Sequence, residues 1–221
     1  FASADKTFYD VDNNFWGVKE INELSSKQII SGYEDQSFRP SNEVTRAEAA
    51  IMIARALKLN TEDVPAVPFQ DVEASHFAYN EIAAVYKAGI MQGSNNHFQP
   101  NEGLKRGEMA VLLDNAFHLA ATAENTFGDV AQNHFAFDAI HYLAAHKISE
   151  GYPDKTFKPD NTTNRAEFAA LLAKTLNVKN DANIAALLAE IQENEIELES
   201  YEFIGNAEVG LSFPEMTGED A

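Results

Sequence analysis

Cysteine is absent from the 221-residue chain, which excludes disulfides and thiolate metal sites. That absence suits an exported protein from an organism that does not use disulfide staples. Long hydrophobic runs are missing too. The stretch from Ala47 to Ala56 is broken by Glu48 and Arg55 and falls short of the roughly eighteen residues that a spanning helix needs, so no membrane insertion is expected. Basic residues are scarce, 16 against 35 acidic for a net charge of -19. Residues 180–221 hold eleven acidic side chains and no basic one, leaving 24 acidic against 16 basic in residues 1–179. A field of this sign repels nucleic acid and anionic membrane at long range, so an anionic ligand needs local cationic groups. Ala2-Ser3-Ala4 has the small-residue form of a secretory cleavage site and, equally, that of a flexible N-terminus.

What is present is one unit of about sixty residues written three times. Phe8-Tyr9-Asp10-Val11 returns as Phe69-Gln70-Asp71-Val72 and as Phe127-Gly128-Asp129-Val130. After each come an aromatic residue (Trp16, Phe77, Phe135), an amphipathic stripe ending at Ile29, Ile90 and Ile148, and a glycine (Gly32, Gly93, Gly151). The stripe predicts a helix with one wet face, and the glycine is read as the point where the backbone reverses. Phe38-Arg39-Pro40, Phe98-Gln99-Pro100 and Phe157-Lys158-Pro159 follow, the phenylalanine pinning each loop to the core and the proline stiffening it. Each unit closes on a second helix opened by Thr45-Arg46-Ala47-Glu48, Lys105-Arg106-Gly107-Glu108 or Asn164-Arg165-Ala166-Glu167. These second helices are apolar around most of their circumference and are predicted to be buried. The expected fold is all-α, six helices in three hairpins, because one hairpin cannot cover its own apolar face. The expected modules are residues 5–58, 65–118 and 123–177. Residues 180–221 form an acidic helix with an Ile184, Leu187, Leu188, Ile191 stripe, then an extension in which Ile196 to Phe203 drifts toward strand-like alternation.

The polar residues mostly have local roles. Thr45 and Glu48 form a capping box, and Asn164 with Glu167 is a close relative of it; Lys105 before Glu108 loses the cap. Catalysis needs a nucleophile or an acid/base pair in a shared cleft, and no such logic is visible, so neither an enzyme nor a cofactor is expected. Asp10-Val11-Asp12-Asn13-Asn14 resembles an oxygen-ligand cluster, but it lacks the spacing of a calcium loop and reads as an Asx turn. Among the six histidines His76 and His134 correspond while repeat one has Phe15, which disfavours zinc. The arginines alone stay unexplained. Arg46, Arg106 and Arg165 stand at the first helical position, which the helix dipole disfavours for a cation by roughly 0.3–1 kcal/mol. Either each pairs with an acidic neighbour such as Asp10, Asp71 or Asp129, or each offers its fork to an anion that also meets the free amides of the helix start.

These five elements recurring in order over residues 5–177 closely resemble the S-layer homology domain family. The resemblance implies three modules in a pseudo-threefold, three-pronged body with a central helix bundle. Its implied role is non-covalent anchoring of a surface-layer protein by binding secondary cell wall polysaccharide in grooves between the modules. The implied location is the bacterial cell wall, outside the cell. The family's glycan commonly ends in a pyruvylated amino sugar such as N-acetylmannosamine, whose ketal carboxylate the arginine would hold. Carried over by motif, Arg46 matches best and Arg165 keeps a capping residue. Arg106 follows Lys105, whose charge is a candidate compensation for the lost cap. Trp16, Phe77 and Phe135 either stack on the sugar or, as the favoured reading, anchor the core. Gly32, Gly93 and Gly151, with Tyr33 and Tyr152 after two of them and Ser94 after the other, complete the candidate ligand-binding set. Two alternatives remain: a peptide-binding or lattice-forming scaffold that contacts other surface-layer subunits, and, less favoured, calcium-dependent assembly.

Overall fold

The computed structural model describes residues 8–122 and 127–204, with side chains to residue 190; Ala2-Ser3-Ala4 and the extension beyond Ile204 lie outside the described residues. Six helices and no sheet are found among them: α1 (Val18–Ser26), α2 (Arg46–Ala56), α3 (Tyr79–Lys87), α4 (Arg106–Phe117), α5 (Phe137–Ala145) and α6 (Arg165–Ile204). The fold is all-α. Contacts divide the chain into residues 1–179 and 180–221. In the second unit residues 195–204 are helical rather than strand-like. Glutamate, leucine and isoleucine there also satisfy a helical pattern, and no partner strand is present among the described residues. The Ile184, Leu187 and Leu188 side chains are exposed.

In the first unit the first helices are amphipathic, burying Ile21 and Leu24, Ile82 and Val85, and Ile140 and Leu143. They stop short of Ile29, Ile90 and Ile148. The left-handed residues Gln28, Gly89 (φ 73°) and Lys147 end each helix, and the amides of Ile29, Ile90 and Ile148 reach back to the carbonyls of Leu24, Val85 and Leu143. This is a Schellman closure, with the isoleucine as its hydrophobic contact. The reversal therefore lies upstream of Gly32, Gly93 and Gly151, of which only Gly151 has positive φ. Those glycines are small for another reason: a Cβ there would collide with the rings of Phe8, Phe69 and Phe127 and with the carbonyls of Ser37, His97 and Thr156.

The FxDV aspartates also differ from expectation. None pairs with the helix arginines. Asp10 accepts hydrogen bonds from the amides of Phe38 and Arg39, both at 2.7 Å, Asp71 from Phe98 and Gln99 at 2.8 and 2.7 Å, and Asp129 from Phe157 and Lys158 at 2.9 and 2.8 Å. The middle residue of each Phe-x-Pro loop is left-handed, at φ 57°, 60° and 57°, and its amide is one of the two that the carboxylate holds. A carboxylate bridging two amides offsets that uncommon conformation. The loop then drives Phe38, Phe98 and Phe157 to complete burial.

The second helices α2 and α4 bury residues on most sides, as their all-round apolarity requires, and they pack most closely on α3 and α5 across module boundaries. Just before α2, α4 and α6 the chains meet. Val44 donates to the carbonyl of Thr163 at 3.0 Å, Thr163 to that of Leu104 at 2.8 Å, and Leu104 to that of Val44 at 2.9 Å, a closed triangle with one corner per module. Short antiparallel bridges flank it, Glu43 with Asn164, Thr45 with Gly103 and Lys105 with Thr162. All three corner residues are buried, and the Thr163 hydroxyl is a buried polar atom without a partner among the described residues.

Two outcomes follow from this arrangement. Thr163→Val keeps the shape and removes the orphaned hydroxyl, and is expected to stabilise the fold by about 1 kcal/mol, seen as a rise of roughly 2–4 °C in the melting temperature; a fall would contradict the burial. For Asp71, burial alone raises the carboxyl, but the Phe98 and Gln99 amides bring it below its ordinary value. A depressed folded pKa means this staple is intact above about pH 4 and is lost as pH falls through the lower folded value. Asp71→Ala leaves the buried Phe98 amide unpaired, at about 1–3 kcal/mol. In urea titrations the deficit is expected at pH 7 and should shrink in acid.

Candidate functional site

Each arginine expected at the first helical position is there, opening α2, α4 or α6, and each reaches into a different module. Arg46 Nε donates to the Phe98 carbonyl, Arg106 Nε to that of Phe157, and Arg165 Nε to that of Phe38, all at 2.8 Å. The guanidinium planes lie over the rings of those phenylalanines, 4.8 Å from each centroid. Module one thus holds two, two holds three, and three holds one. The acidic partner is the capping-box glutamate of the module reached: Arg46 with Glu108 and Arg106 with Glu167, both at 3.8 Å, and Arg165 with Glu48 at 2.7 Å. These glutamates, rather than Asp10, Asp71 or Asp129, are the ionic partners.

The helix-start amides are not free for an anion. Arg46 and Ala47 donate them to the carbonyls of Glu102 and Pro100, Arg106 and Gly107 to Asn161 and Pro159, and Arg165 and Ala166 to Asn42 and Pro40. Glu48 and Glu167 donate theirs to Thr45 Oγ1 and Asn164 Oδ1. In module two only the carboxylate half of the box persists, Lys105 N–H to Glu108 at 2.9 Å, since an ammonium has no lone pair to offer. Gly107 sits against Pro159 and Phe135, where a methyl group would be tight.

The exposed aromatics are the largest departure. Trp16, Phe77 and Phe135 are 62%, 69% and 68% exposed, so they are not core anchors. Each is backed by its neighbour, Phe15 under Trp16, His76 against Phe77 and His134 against Phe135. The rings of His76 and His134 are fixed by accepting the amides of Ala78 and Ala136.

Three grooves of about 160, 190 and 270 Å³ each combine an aromatic, an arginine and a turn from three different modules. Groove one has Phe77, Arg165 and the Ser31, Tyr33, Glu48 surface. Groove two has Phe135, Arg46 and the Gln92, Glu108 surface. Groove three has Trp16, Arg106 and the Ser149-Glu150-Gly151, Glu167 surface. Matched positions on their floors carry Arg55, Asn115 and Lys174, which sequence reasoning missed. Their spacing was a usable signal, because seven residues beyond each glutamate is the same helix face. Lys105 is exposed and lines none of the three, and neither Gly32 nor Gly93 is among the groove-lining residues.

The arginines differ in how fully they are engaged. Arg165 is 5% exposed and uses all three nitrogens, the third donating to the Ser31 carbonyl at 3.4 Å. Its partner Glu48 also accepts from Tyr33 Oη at 2.7 Å, and burial together with that carboxylate pushes the phenol above its ordinary pKa, so it stays a donor. Arg106 is 7% exposed and Arg46 13%. Arg46 also donates to the Gln92 carbonyl at 2.8 Å, and burial lowers its pKa against the partial compensation of Glu108, Glu102 and Asp71. Among the described residues no group of three or more histidines and carboxylates is placed to hold a metal ion, and no helix is long and apolar enough to cross a membrane.

The family profile of the S-layer homology domain matches residues 7–50, 68–110 and 126–169. The chain is similar to the S-layer protein sap of Bacillus anthracis, 36% identical over 178 residues, covering 79% of this chain and 22% of that protein. It is similar to an S-layer protein of Bacillus thuringiensis subsp. finitimus at 35% identity, covering 79% and 22%. It is also similar to an amylopullulanase of Thermoanaerobacterium thermosulfurigenes at 33%, covering 76% and 9%. The chain thus spans less than a quarter of the length of these relatives.

The same geometry ranks the arginines as structural pins. Arg165→Ala strips Glu48 of its cation and frees the Phe38 carbonyl inside the fold, at about 3–5 kcal/mol. Arg46→Ala breaks a longer, wetter pair and is expected to cost clearly less. Equal losses in chemical denaturation would argue against the ranking.

Proposed function

The chain belongs to the S-layer homology domain family, and from that premise we propose that residues 8–179 anchor the protein that carries them to the bacterial cell wall by holding an acidic wall polysaccharide in the three grooves. One observation carries this reading: each groove combines an exposed aromatic ring with a guanidinium that is buried in grooves one and three and part-buried in groove two. An aromatic face suits the apolar side of a sugar ring, and a guanidinium suits a carboxylate. The pairing points to a sugar bearing a carboxylate, and a pyruvate ketal on a terminal amino sugar has that form. Against the roughly 300–1,000 Å³ of clefts for drug-sized ligands, the grooves have room for one terminal residue rather than a chain.

An anchoring role also accounts for the company the module keeps. The relatives include proteins named for surface layers and one named as an amylopullulanase, so the shared part is not the part that differs in activity. On this reading the location is the cell surface, the partner is the wall polysaccharide, and no catalysis is assigned to residues 8–179. Three grooves on one body facing a repeating polymer gain retention through effective concentration, which lets each contact stay modest.

Two measurements test the proposal. In calorimetry, wall polysaccharide with its pyruvate ketals intact is expected to bind about 10–100-fold more tightly than the same polymer after ketal removal, the worth of one or two charge-assisted hydrogen bonds. In sedimentation, purified walls stripped of polysaccharide should no longer carry the protein down. Undiminished sedimentation would instead favour a peptide-binding scaffold.

A further inference from the structure

The three grooves repeat one plan, but the modules do not repeat it faithfully. In groove one the Tyr33 ring lies over the Arg165 guanidinium at 4.9 Å, and Arg39 also stacks on that ring at 3.9 Å. Around Arg106 the Tyr152 ring does the same at 5.0 Å, backed by Lys158 at 4.1 Å. Each tyrosine ring meets two cations, which fixes it as a cover on the groove arginine. Module two has neither part. Ser94 stands where the others have tyrosine and Gln99 where they have Arg39 or Lys158.

We infer that groove two, formed by Arg46, Gln92, Glu108, Asn115 and Phe135, is the principal anion-binding groove of this chain, and that Ser94 is the residue that opens it. This rests on the reading of the grooves as acidic-glycan sites and adds which one leads. Arg46 has the most exposed of the three guanidinium side chains, 13% against 7% and 5%. Only one phenylalanine ring covers it. Its glutamate stands off at 3.8 Å, whereas Glu48 is in contact with Arg165 at 2.7 Å. Glu167 stands off Arg106 by the same 3.8 Å, so the glutamate distance sets groove two apart from groove one. Arg46 Nη2 is engaged by the Gln92 carbonyl at 2.8 Å, which leaves Nη1 as the donor for a second carboxylate, and no tyrosine stands in the way. Groove one is occupied in advance by Glu48, to which Tyr33 is bonded. Groove three carries Glu150 as a second carboxylate, offset by Lys174, where groove two has the neutral Gln92 and Asn115.

The test follows the arginine Nε–H resonances of the intact chain during titration with methyl N-acetylmannosaminide 4,6-pyruvate ketal, with the ketal-free glycoside as control. The Arg46 signal is expected to move at concentrations at least ten-fold below those that move Arg106 or Arg165, and the control should move none. Ser94→Tyr is expected to abolish the early Arg46 response and Ser94→Ala to keep it, with amide spectra showing both variants folded. Tyr33→Ser with Arg39→Gln, which transplants the module-two pair into module one, should bring the Arg165 response to lower concentration. Arg106 or Arg165 responding first, or Ser94→Tyr leaving Arg46 unchanged, overturns the ranking alone. Silence from all three arginines overturns the glycan reading and the ranking with it.

Discussion

Three backbone hydrogen bonds, from Val44 to Thr163, Thr163 to Leu104 and Leu104 to Val44, close the three modules on one another, and the bridges and helix starts beside them continue the exchange. Each module gives one donor and one acceptor, and no module can satisfy its own. A buried amide left unpaired costs about 1–3 kcal/mol, so a lone module begins with that deficit. The same exchange continues outward: the first two amides of α2, α4 and α6 are accepted by loop carbonyls of another module. Helix starts usually find their partners locally. Here half of that work is done in trans for the second helices, which makes three modules the smallest unit that supplies a partner to the starts of α2, α4 and α6 alike.

The arginines belong to that closure before they belong to any ligand. At exposed N-termini they would be mildly unfavourable, but each is drawn off its own helix onto a phenylalanine carbonyl, a phenylalanine ring and a glutamate of another module. The glutamate is shared between capping its own helix and pairing with the incoming arginine, as Glu48 shows by accepting from Thr45 N–H and Arg165 together. That double use explains why the T-R-A-E spacing is kept: the threonine and glutamate fix the helix start, and the arginine must leave from the first residue to reach the next module.

How much of this the sequence discloses depends on how local each signal is. The three-fold repetition, the buried second helices and the loop phenylalanines were legible because apolar periodicity is written in neighbouring residues. The arginine partners were not, since they lie 51 to 127 residues away and between modules. The FxDV aspartates pointed to ion pairs because a carboxylate advertises charge, whereas two left-handed-turn amides leave no mark on composition. Trp16, Phe77 and Phe135 were weighed toward the core because aromatics usually go there. Only the geometry shows that Phe8, Phe69 and Phe127 already fill that space. Ser94 was visible as a departure from the repeat, but its effect needs the tyrosine positions of the other two modules.

If the grooves take an acidic glycan, as proposed, an acidic chain must hold it where its own carboxylates are already committed. The distance between arginine and glutamate sets how committed they are. With an effective dielectric of about 20, opposite charges at 2.7 Å attract by roughly 6 kcal/mol and at 3.8 Å by roughly 4, and the difference is a penalty that a ligand carboxylate meets in groove one but not in groove two. The tyrosines move the balance the same way. Each in contact with two cations, they strengthen modules one and three, at the expense of access to the arginine beneath. On the proposed reading, stability and binding draw on the same guanidinium groups, and divergence among the repeats separates the two tasks: the modules with a tyrosine cover clamp their groove, and the one without it leaves its neighbour's arginine the most exposed of the three, at 13%.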